Sequence, residues 1–129
     1  MKQKIAAIIL KGSKILTVRK KDTDIYIMPG GGPEGNETHE ETLTRELKEE
    51  LNVKPHNVKF FGSFVEPAIF EDGNIEAHIY LADMEGKPKP QSEIIEYRWL
   101  DKNFKDEGIK CGSVLADRVI PKLIKMELM

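Results

Sequence analysis

The apolar positions of this 129-residue chain follow two rhythms. One belongs to strands. Ile5 to Leu10 is an unbroken apolar run, "KGSK" at 11–14 is a polar turn, and "ILTVRK" from Ile15 returns, which predicts a β-hairpin. After the polar "KKDTD", a short strand "IYIM" at 25–28 stops at Pro29. "VKFFGSFV" at 58–65 reads as a strand, "EPAIFEDGN" at 66–74 as a loop, and "IEAHIYLA" at 75–82 alternates as a half-buried strand does. Prolines keep "EGKPKPQ" at 85–91 out of any central strand, and "EYRWL" at 96–100 is a further one. The other rhythm is helical. Thr38-x-x-Glu41 spells a capping box, and Leu43, Leu47 and Leu51 recur every four residues behind it. Together they predict a helix from about His39 to Leu51. Val114, Leu115, Val119, Leu123 and Met126 predict a last helix, kinked at Pro121. Strands on both sides of one internal helix, closed by a final helix, imply an α/β fold with a mixed sheet packed between helices.

Length and composition narrow the function. Residues 1–129 suit one domain with one core. With 40% hydrophobic and 33% charged residues and a net charge of −2, the chain reads as soluble, and tight nonspecific binding to long nucleic acid is not expected. The apolar run after Lys2 and Lys4 is too short for a signal peptide, and none approaches the roughly 18 residues that span a bilayer. The single cysteine, Cys111, allows no disulfide within the chain. A cytoplasmic protein with no membrane contact is the expectation.

The predicted internal helix carries unusual chemistry. Glu46, Glu49 and Glu50 fall on one face, beside the leucine stripe and at the edge of the core. Three neighbouring carboxylates repel one another unless a cation joins them or their proton affinity rises. An all-oxygen set suits a hard cation such as Mg²⁺ or Mn²⁺. The bland alternative is a solvated acidic face, with Arg45 and Lys48 pairing locally. His39, His56 and His78 are scattered through the sequence without zinc-ligand spacing.

The glutamates belong to a longer pattern. Gly31, five residues, Glu37, seven residues, then Arg45-Glu46-Leu47-x-Glu49-Glu50-x-x-Val53 resembles the Nudix box of the Nudix hydrolase family. Asn52 stands where the box has glycine, and Asn36 replaces a glycine common in that loop. Both read as sites of left-handed backbone, which asparagine tolerates best after glycine. The resemblance implies a Nudix-type α/β/α sandwich. It also implies metal-dependent hydrolysis of a nucleoside diphosphate linked to another moiety. Glu46, Glu49, Glu50 and the Gly31 carbonyl would then hold Mg²⁺ or Mn²⁺. Glu46 or Glu50 would orient or deprotonate water, with Glu37 supporting them and Arg45 fixing carboxylate geometry. Glu93, before the late strand, is a candidate extra acid, and Glu34 is a weaker one. Arg19 is a candidate phosphate ligand, and Tyr26, Phe64, Phe70 and Trp99 are candidates to hold a base. The favoured substrate is a small nucleotide: a nucleoside triphosphate, oxidised or not, as for MutT-type members. The alternatives are ADP-ribose or a nucleotide sugar, for which Pro67 is a hint, a dinucleoside polyphosphate or capped RNA, or a metal-nucleotide sensor without turnover. The resemblance is compatible with a monomer or a homodimer.

Overall fold

In the computed structural model, which describes all 129 residues, the first apolar run forms strand β1 (Lys2–Ile8). Its inward residues serve two different cores. Ile5, Ala7 and Ile9 pack with Leu43, Leu47 and Leu51 of helix α1 (His39–Leu51). Ala6 and Ile8 pack on the other side with Leu115, Val119 and Leu123. A strand covered on both faces needs no polar alternation, which explains the unbroken run.

Two sheets lie between these helical layers. One has the order β5 (Gly30–Gly31), β1, β7 (Asn74–Glu85), β6 (Lys54–Pro67). The other runs β2 (Leu10–Lys11), β3 (Lys14–Lys20), β4 (Ile25–Ile27), β9 (Lys110–Cys111), with β8 (Ile94–Leu100) paired to β3. β1 runs parallel to β7, and β4 parallel to β9, while the remaining pairs are antiparallel. The α/β class and mixed pairing are therefore as expected. No helix is long and apolar enough to cross a membrane.

α1 has the bounds the sequence predicts, and both arms of its capping box form: Glu41 N–H donates to Thr38 Oγ1, and Thr38 N–H to Glu41 Oε1. β6 is longer than the predicted 58–65. It starts at Lys54 and breaks register between His56 and Lys59 and again between Phe60 and Gly62. Those bulges interrupt the alternation that would have revealed its start. The last helix is divided. Val114–Val119 forms a widened π-type turn, in which Ile120 N–H bonds to Leu115 O, and α2 (Ile120–Lys125) follows. Pro121 has no amide hydrogen and crowds the preceding turn, so the break falls where proline places it. Met126 lies past the end of α2 and is 46% exposed, so it is not part of the buried stripe.

Candidate active site

β5 lies antiparallel to β1, with Ile5 opposite Gly31 and Ala6 opposite Gly30. A Cβ on Gly30 would sit 2.1 Å from Ile5 O, and its φ is +151°. Only glycine fits there. A Cβ on Gly31 would stand 2.4 Å from the Glu46 carboxylate. The two glycines thus let the strand approach α1 closely enough to touch its acids. Gly30 N–H donates to Glu50 Oε1 at 2.9 Å, and Glu50 is only 4% exposed. Burial pushes the Glu50 carboxyl above its ordinary range, against the pull of Lys4 and of the Gly30 amide.

Arg45 organises the remaining acids. Its Nε and Nη2 grip Glu37 at 2.8 and 3.0 Å, and Nη2 also donates to Gly32 O. Its Nη1 reaches Glu46 at 2.8 Å and Glu49 at 3.4 Å. These bonds hold Glu37 down at about 2, well below its usual 4.5, the Arg45 bonds being the largest cause. Glu34 lies 3.5 Å from Arg45 and donates its N–H to Glu37 Oε1. Glu37 therefore favours the folded chain above pH 4.5, and that contribution disappears as the pH falls through about 2. The difference in thermal midpoint between the wild type and Glu37→Gln should shrink steadily across that window and vanish at its lower end. A difference that stays constant would show that the carboxylate is not held this way.

The three helix acids do not converge as tightly as the sequence suggests. No group of three or more His, Cys, Asp or Glu side chains stands at metal-binding spacing. Arg45 holds Glu46 and Glu49, while Glu50 turns to Gly30. The donor set nonetheless fits a hard divalent cation. Glu46 and Glu49 already share one positive nitrogen, Gly31 keeps the space beside Glu46 free of side chain, and every donor is oxygen.

A cavity of about 470 Å³ opens beside Gly31, Gly32 and Glu46. Glu93 and Phe70 line it, as does Pro67. Glu93 pairs with Lys20 at 3.4 Å, and the same ammonium lies 5.2 Å from the Phe70 ring centre. Arg19 is absent from the lining. Its guanidinium is taken up by Thr23 O and Glu96, whereas its neighbour Lys20 reaches the cavity. Successive strand residues face opposite ways, so the expected cation is displaced by one position. Tyr26 is also no ligand-facing residue: it is 8% exposed, within the core, and its hydroxyl bonds to Glu96. Phe64 packs on the same core and is absent from the lining, and Trp99 packs on the other core.

Two backbone expectations separate. Asn52 is left-handed (φ 54°), and its N–H caps Leu47 O and Lys48 O. Asn36 does not have a positive φ, because Gly35 makes the left-handed turn one residue earlier. Beyond Asn52 the proline-containing stretch binds the open end of α1: Lys89 N–H donates to Leu51 O, Gln91 N–H to Glu50 O, and Gln91 Nε2 to Lys48 O. His39 and His78, apart in sequence, lie with ring centres 4.7 Å apart, but each ring has its own partner, Tyr80 and Glu76 respectively. The residue that sequence reasoning missed is Lys4. It lines the cavity, and burial pulls its ammonium below the ordinary lysine range.

Comparison with known proteins agrees with this picture. Residues 1–103 match the family model described as NUDIX domain. The ADP-ribose pyrophosphatase of Methanocaldococcus jannaschii is 29% identical over 103 residues, 77% of this chain and 61% of that protein. The NAD-capped RNA hydrolase NudC of Vibrio atlanticus is 33% identical over 114 residues, 85% of this chain and 41% of that protein. The chain thus spans less than two thirds of either relative. A structure titled for MutT from Aliivibrio salmonicida and Vibrio cholerae superposes with a TM-score of 0.75 at 21% identity, covering 97% of this chain and 98% of that one. The box residues meet on α1 and β5, and the family model covers most of the chain: the protein belongs to the NUDIX family.

Proposed function

We propose that the chain is a divalent-metal-dependent pyrophosphohydrolase of small nucleotides, with a nucleoside triphosphate as the favoured substrate and a nucleoside monophosphate and pyrophosphate as products. The observation that supports this reading is that Glu46, Gly30 and Gly31 line a cavity of about 470 Å³ while Glu50, just behind that lining, bonds to the Gly30 amide. Glu46, Glu49, Glu50 and the Gly31 carbonyl would hold Mg²⁺ or Mn²⁺, which when bound neutralises the diphosphate oxygens and stabilises the charge developing on them. The chain's own residues do the rest. Arg45 fixes Glu46 and is itself fixed by Glu37. Glu50, desolvated and with raised proton affinity, is the carboxylate best suited to take a proton from attacking water. Glu93, in the cavity lining beside Lys20, is a second acid. Phe70, half exposed at the lining, offers a face for the base. Residues 1–129 act as one unit, because Ser113, Val114 and Leu115, beyond the family match, contribute cavity wall.

A second reading, ADP-ribose or a nucleotide sugar, draws on Pro67 at the cavity and on the name of the archaeal relative. A panel of nucleoside triphosphates, ADP-ribose and nucleotide sugars, assayed with Mg²⁺ and with Mn²⁺ and scored by products, separates the two. Nucleoside monophosphate with pyrophosphate supports the first, and AMP with ribose 5-phosphate the second. If every compound turns over at the no-enzyme rate, the enzyme reading falls and a metal-nucleotide sensor takes its place.

A further inference from the structure

Lys2, Lys4 and Ala6 alternate along β1 and stand opposite Ile75, Ala77 and Ile79 of β7, and all six line the cavity. Its floor is therefore apolar except for two ammonium groups. The charges around the wall can be matched one by one. Lys2 pairs with Glu71 at 2.9 Å, Lys20 with Glu93, and Glu46 with Arg45. Those pairs use every carboxylate of the lining. Lys4, half buried, remains with no ion pair and no side-chain hydrogen bond. Glu50 and Glu46 offset this half-desolvated charge only without direct contact, so an anion reaching the cavity would give it its first direct partner. Lys4 shares the lining with Gly30, Gly31, Gly32 and Glu46.

We propose that Lys4 is a substrate-binding residue whose ammonium donates to a phosphate oxygen of the nucleotide in the cavity that Gly30, Gly31 and Gly32 line. The inference rests on the nucleotide reading above and adds to it a residue outside the box. A lysine suits this task because its three donors rotate around a point charge and need no planar partner. The competing role is structural: Lys4 could merely offset Glu50 and Glu46 at longer range.

Lys4→Gln and Lys4→Arg, compared with the wild type, decide between the two. The first measurement is the dissociation constant for inorganic pyrophosphate with Mg²⁺, by calorimetry. The second is KM against kcat for whichever nucleotide the panel identifies, with the thermal midpoint recorded throughout. Loss of a hydrogen bond between charged groups should weaken pyrophosphate binding and raise KM by about tenfold or more in Lys4→Gln. The change should fall on KM, leave the thermal midpoint in place, and be reversed by Lys4→Arg. Equal pyrophosphate affinity in Lys4→Gln and the wild type overturns the assignment. So does a wild type that binds no pyrophosphate, or a variant that loses kcat or thermal stability alone. If the panel yields no turnover, the enzymatic reading fails while the pyrophosphate comparison still decides the role of Lys4.

Discussion

Glu50→Gln should lower turnover by on the order of 10²- to 10⁴-fold, the usual contribution of a positioned general base. The substitution is nearly isosteric. A glutamine carbonyl can still accept the Gly30 N–H that Glu50 Oε1 accepts, so α1 and β5 keep their contact. What disappears is the ability to take a proton and to carry negative charge toward a cation. Stability should move the other way. The folded-state proton affinity of Glu50 is raised by burial, so its favourable contribution is complete at low pH and is lost as the pH rises past the ordinary carboxylate range. In metal-free buffer at pH 8 the glutamine variant should therefore melt at or above the wild-type temperature, and at pH 4 the two should coincide. Steady-state kinetics with Mg²⁺ and thermal scans over that range check both halves. Retained activity in Glu50→Gln would remove Glu50 from the chemistry. A large loss of stability would mean that the carboxylate is structural.

Gly30→Ala should have the largest effect on the fold. The added methyl would meet Ile5 O and the Ala6 Cα, which are backbone atoms of the central strand and cannot rotate away. The left-handed φ adds strain to that overlap. A cost of about 3 kcal/mol or more is expected, in the class of severe substitutions. That corresponds to a fall of roughly 10 °C in thermal midpoint for a chain of this length. Gly31→Ala makes the informative contrast. Its methyl would meet the end of the Glu46 side chain, which can swing aside. The fold should survive with Glu46 displaced and activity reduced. Equal melting of Gly30→Ala and the wild type would show that β5 does not approach β1 as described.

The parts of this fold legible in sequence are those governed by local rules. Thr38, Glu41 and the leucines of α1 specify its start, its buried face and its end, because capping and periodicity act within one or two turns. Pro121 marks the break in the last helix for the same reason. What local reasoning could not reach is set by pairing across the sheets. Whether Arg19 or Lys20 meets the cavity depends on the facing of β3 near its register shift against β8. Tyr26 resembles a base-stacking residue until Glu96, seventy positions away, binds its hydroxyl. Lys4 reads as an ordinary charge near a strand end until β7, the glycine strand and three ion pairs formed by others leave it in the wall without an ion pair of its own. Helix geometry brings Glu46, Glu49 and Glu50 to one face, but Arg45 decides where the oxygens of Glu46 and Glu49 turn, and the Gly30 amide decides it for Glu50.

The anchoring of α1 has a mechanical consequence. Thr38 and Glu41 clamp one extremity, while Lys89 and Gln91 clamp the other through Leu51, Glu50 and Lys48. The end of the helix next to Glu49 and Glu50 is thereby tied to a segment about forty residues further along the chain, so it cannot fray without breaking those bonds. The plain surface stretch around Pro88 and Pro90 becomes a brace for reactive oxygens that it never touches.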